Sequence, residues 1–145
     1  MIHKRSIDVG LVASAVIQVT VLFGAFFRGL DYAIGTETGS AILGDVEKAA
    51  PLPVWGWALI IGTVLAVGGW ATTVRKAVAA GYFVIALSLV AIGVGQMVAV
   101  LSKDELDGYR TPISVMAGGV VAAALCGSAW VQSLAERGSA DAPLE

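Results

Sequence analysis

Apolar positions gather into four long runs, separated by charge clusters or by Pro- and Gly-containing stretches. The clearest pair lies between 54 and 101: VWGWALIIGTVLAVGGWATTV, then RKAVAA, then GYFVIALSLVAIGVGQMVAVL. Its only charges, Arg75 and Lys76, sit side by side in the middle. Each flank supplies about twenty residues, which at 1.5 Å per residue crosses a hydrocarbon core of about 30 Å. This pattern predicts a helical hairpin in a bilayer with a two-charge turn on one side. One apolar run precedes it and one follows. The expected fold class is therefore all-α integral membrane, with transmembrane helices over 9–27, 54–74, 79–101 and 113–133. Residues 1–133 form a single four-helix domain in this reading, and 134–145 a flexible polar tail.

The connections carry the punctuation. Residues 28–53 are polar and acidic, broken by Gly29, Gly35, Gly39 and Gly44. Within them 40–50 is compatible with a short extracytoplasmic helix, Ser40 capping it and Ile42, Leu43 and Val46 sharing a face. Pro51 and Pro53 then open the second span, as Thr111 and Pro112 open the fourth. Trp55 and Trp57 lie at one end of the second span and Trp70 near the other, the placement of interfacial anchors. A secretory signal also begins with positive charge, but the first run exceeds the usual h-region of about 7–15 residues. Gly24-Ala25-Phe26-Phe27 also lacks a small-x-small cleavage site. A retained first span is the expectation.

Lys and Arg near the span ends set the orientation. With both termini inside, Lys4, Arg5, Arg75, Lys76 and Arg137 face the cytoplasm, and Arg28, Lys48, Lys103 and Arg110 lie outside. Arg75-Lys76 weighs most, because it fills a very short connection without a nearby acid. The expectation is N-in and C-in.

Composition fits the same class. Hydrophobic residues make up 57% and charged ones 14%, with mean hydropathy +0.84. A soluble domain carries about 25% charge to face water. A net charge of −2 gives no basic footprint for nucleic acid. Cys126 is the only cysteine, so it forms no internal disulfide and reads as a small packing residue. His3, the only histidine, reads as solvated.

Helices in lipid associate through small residues and interhelical hydrogen bonds. The fourth run offers two rows at intervals of four: Ser114, Gly118, Ala122 and Cys126, and beside it Gly119, Ala123 and Gly127. The third offers Ala91, Gly95 and Ala99. Gln18, with Ser14 one turn before it, and Gln96 are the strongest polar features inside spans, and both call for partners. Gln96 is expected to bond a backbone carbonyl or a neighbouring copy. The hydroxyls of Thr63 and Ser88 are expected to bond the preceding turn. These residues are candidates for packing and assembly, with Trp55, Trp57, Trp70, Arg75 and Lys76 as anchors.

No Asp, Glu, Lys, Arg or His lies in the core of any run. Proton-coupled transporters normally hold such a group at the midplane. There is no phosphate-binding GxxxxGK[ST] loop, no G-x-S-x-G elbow and no His/Cys cluster with metal spacing. No catalytic residue, cofactor or metal is expected, and the chain does not read as an enzyme.

L-P-V-W-G-W at 52–57, a short basic turn, and D-G-Y-R-T-P at 107–112 leading into a Gly/Ala-rich last span complete the pattern. It resembles small four-span holin-like membrane proteins of actinobacterial bacteriophages. The resemblance implies oligomerisation in the host inner membrane and permeabilisation for lysis. The partners it implies are the lipid bilayer, further copies of the chain and other membrane or lysis proteins. It carries over no site residues. A second reading is an accessory or immunity protein docking on a larger membrane partner; a third, a small transporter or channel subunit, lacks an intramembrane charge.

Overall fold

The computed structural model describes residues 5–35, 50–102 and 109–140. The described residues form four helices: α1 (Arg5–Ile34), α2 (Leu52–Ala71), α3 (Arg75–Leu101) and α4 (Arg110–Ala140). Each contains a stretch long and apolar enough to cross a membrane, so the chain is a multi-pass, all-helical membrane protein. The helix expected over 40–50, the charged loop at 103–108 and the tail residues 141–145 lie outside the described residues.

Three of the helices outrun the apolar stretches that predict them, whereas α2 runs Leu52–Ala71 and stops three residues short of the expected 74, where the turn to α3 begins. α1 continues past Arg28 to Ile34, α3 starts at Arg75 rather than 79, and α4 starts at Arg110 and runs through Ala140. A backbone entering hydrocarbon must already be hydrogen-bonded to itself, so helices extend into the interface before charge ends the apolar run. α4 also gains from good helix formers at Gln132, Leu134, Ala135 and Glu136. Charge marks where the hydrocarbon stops, not where the helix stops. The opening of α4 shifts accordingly: Pro112 falls within its first turn, and the Ile113 amide donates to the Tyr109 carbonyl at 3.2 Å.

Between α2 and α3 the turn is only Thr72, Thr73 and Val74. The Thr73 amide donates to the Trp70 carbonyl at 3.2 Å and the Val74 amide to the Gly69 carbonyl at 2.8 Å. This is a Schellman closure, which needs one left-handed residue. Thr73 supplies it at φ 58°, although β-branched side chains disfavour that region. At the opposite end of α2 the Trp55 indole donates to the Ala50 carbonyl at 3.2 Å, tying the chain to the first turn.

Neighbouring helices run antiparallel, and α3 sits at the centre. Half of its spanning window is buried, against 17% for α1. Its contacts with α4 and with α2 are the most extensive, followed by α1 with α2. Glycine sets two of these crossings. A Cβ on Gly56 would lie 2.5 Å from the Ala33 amide nitrogen and 2.7 Å from the Gly29 carbonyl oxygen. One on Gly81 would lie 2.5 Å from the Ala66 amide nitrogen and 2.6 Å from the Gly62 carbonyl oxygen. Backbones this close gain dispersion contacts, which drive association where lipid removes the hydrophobic difference.

On α4 the buried positions are Pro112, Val115, Gly119, Ala122, Ala129 and Ser133, with Cys126 half-buried among them. Steps alternating between three and four residues keep one face toward a partner in left-handed packing. Steps of four alone drift by about 40° each at 3.6 residues per turn. The i+4 rows therefore leave the α3-facing surface at their ends, and Ser114, Ala123 and Gly127 are exposed.

Candidate functional site

Polar side chains inside the bundle come together where α1 faces α3 and α4. α1 and α3 run parallel and meet through two Gln–Tyr pairs. The Tyr82 hydroxyl of α3 donates to Gln18 Oε1 of α1 at 3.4 Å, while Gln18 Nε2 donates to Ser14 Oγ at 3.0 Å. Toward the other face the order reverses, with Tyr32 of α1 beside the Gln96 amide of α3. Gln18 and Tyr32 are two heptads apart, as are Tyr82 and Gln96, so the reciprocal pairs match one register. Gln96 is 4% exposed, and its Oε1 has no hydrogen-bond partner among the described residues. Leu22, Ala25, Ile85, Leu89 and Ala122 belong to the buried apolar core and occupy the level between the two pairs.

Below Tyr82 the bundle opens. α1 and α4 make few contacts, far fewer than α4 makes with α3. Between them is a cavity of about 350 Å³ whose polar lining is Ser14, Gln18, Tyr82, Ser128, Gln132 and Arg75. It shares Trp70, Arg75 and Val78 with an adjoining cavity of about 430 Å³ that also reaches Thr73 and Glu136. Arg75 spans the mouth. Its Nε donates to Glu136 Oε1 at 2.8 Å and its Nη1 donates to Gln132 Oε1. Arg75 stands in the first turn of α3, where the helix dipole opposes a cation, and the α4 carboxylate offsets that. Among the described residues no group of three His, Cys, Asp or Glu side chains is placed to hold a metal.

No family model, curated protein or solved structure matches this chain.

The candidates from sequence divide by place. Gln18 lines the cleft, and Arg75 and Trp70 stand at its mouth. Gln96 lies beside Tyr32, which the extension of α1 past Arg28 brings to it. Thr63 and Ser88 do bond the preceding turn, donating to the Leu59 and Val84 carbonyls at 2.8 Å. Ala99, Gly119 and Ala122 are buried, and Ala91, Gly95, Gly118 and Cys126 are half-buried. Ser114, Ala123 and Gly127 face outward. Trp55 is half-buried, whereas Trp57, Trp70 and Lys76 are exposed. Sequence reading passed over Tyr32, Tyr82, Ser128, Gln132 and Glu136. A signal was there for the last three: they recur every fourth residue, a polar stripe flanking the small-residue rows.

Proposed function

We propose that this chain is a holin-like protein of the host inner membrane, with both termini cytoplasmic, that associates with further copies and permeabilises the bilayer for lysis. The observation that carries this reading is the α1–α4 seam, thin in contacts and lined by Ser14, Gln18, Tyr82, Ser128 and Gln132. A lesion needs a face that prefers water over lipid, and hydroxyls and amides supply one without an intramembrane charge. Parting α1 from α4 presents that face to neighbouring copies and leaves the α3–α4 interface intact. The protein acts by helix rearrangement, without cofactor or catalysis. Inducible expression in a bacterial host, with membrane potential and viability followed at verified membrane levels, tests it. Depolarisation and loss of viability are expected. Harmless accumulation, with recovery of a larger partner after detergent extraction, transfers the case to the accessory or immunity reading.

A further inference from the structure

We infer that the cleft between α1, α3 and α4 is a water-filled vestibule, open at the Arg75 end and blind beyond Tyr82. Ser14, Gln18, Tyr82, Ser128 and Gln132 give it hydrogen-bonding groups on all three helices, among the apolar Ala15, Val78, Leu125 and Ala129, and the charge of Arg75 at its mouth is offset by Glu136. By helical rise Tyr82 lies about 10 Å from Arg75, roughly a third of the way through a 30 Å core. Polar groups at that depth cost several kcal/mol each, by order of magnitude, when hydrocarbon surrounds them, whereas water satisfies them.

One hydroxyl singles itself out. Ser88, Ser114 and Ser133 each donate to a carbonyl of their own helix. The Ser128 hydroxyl, on the cleft wall, has no hydrogen bond to any described residue. In lipid its simplest option would be the preceding turn; facing a wet cleft it needs none. Above Tyr82 the buried layer of Leu22, Ala25, Ile85, Leu89 and Ala122 offers water nothing to bond, so the column ends there. The neighbouring position gives the contrast. Gly127 lines an apolar groove of about 490 Å³ on the other side of α4, with Phe83, Leu87, Val90 and Trp130. The vestibule is wet in the resting chain whether or not that chain ever permeabilises a membrane.

Thiolate chemistry reads hydration directly, because a cysteine reacts with a charged methanethiosulfonate only where water reaches it. The full chain with Cys126→Ala as background carries Ser128→Cys, Ser14→Cys or Gly127→Cys, and is labelled with the membrane-impermeant sulfonatoethyl reagent in vesicles of each sidedness. Lys76→Cys, exposed at the same end, identifies the accessible side. Ser128→Cys and Ser14→Cys are expected to react at least about tenfold faster than Gly127→Cys, and only from the Lys76 side. A Cβ on Gly127 meets nothing within 4 Å, so that control folds as the parent does. Rates at 128 and 14 no faster than at 127 overturn the vestibule. Equal rates from both sides overturn its blind end.

Discussion

The two seams of α4 are built on opposite rules. Against α3 it presents small and apolar residues in a three–four rhythm, Val115, Gly119, Ala122 and Ala129 all buried. Against α1 it presents Ser128 and Gln132, with Leu125 and Ala129, across a cleft. The first seam is held by close backbones and dispersion and has one good register. At the second, the exposed ion pair at the mouth joins α3 to α4 and the long hydrogen bond on the floor joins α3 to α1. In a bilayer, where apolar side chains gain little by leaving lipid, only the first kind of contact is strong. The bundle is thus three helices firmly joined in sequence order, with α1 fastened mainly through α2.

Substitutions at the close crossings are expected to have the largest effect. Gly81→Leu forces α2 from α3, because even its Cβ overlaps the Ala66 amide nitrogen. A loss of about 3 kcal/mol or more is expected in reversible unfolding in mixed micelles. Gly127→Ala, with nothing near its Cβ, should instead hold or gain up to about 1 kcal/mol from helix propensity. If the two glycines respond alike, close backbone approach is not what holds the α2–α3 crossing.

Tyr82→Phe removes the hydrogen bond on the cleft floor and is expected to cost about 1 kcal/mol or less in the same assay. Its partner pair sharpens the point. Because Gln96 Oε1 is already unsatisfied, Tyr32→Phe combined with Gln96→Leu should be as stable as the parent within about 0.5 kcal/mol. A large loss would show that an unseen donor serves that oxygen. Arg75→Gln should move stability least, by about 0.5 kcal/mol, with the difference gone at high salt, since the arginine and its carboxylate partner are 48% and 58% exposed.

The number and type of helices were legible because hydrocarbon thickness imposes one length on every span. Helix ends were not, because charge reports the membrane boundary while the backbone reports hydrogen bonding; Ile34 and Ala140 both lie past the apolar runs. The small residues of α4 were visible as a class, yet which of them pack depends on a 40° drift that intervals of four conceal. Gln18 and Gln96 announced themselves as polar groups needing partners. The partners were tyrosines, which in sequence pass for interfacial aromatics. Only the parallel placement of α1 and α3 brings each tyrosine to the other helix's amide.

The three-residue turn at Thr72–Val74 also orders assembly in time. Bringing two chain ends together costs entropy that grows with the length between them. α2 and α3, with almost nothing to close, meet first. α1 must close the segment from 35 to 51, and the α1–α4 seam joins the two most distant parts of the chain. That seam forms last and holds least, so it should be the first event when a single chain is pulled from the bilayer by its ends. A force trace in which the α2–α3 hairpin gives way before α1 separates would refute that order.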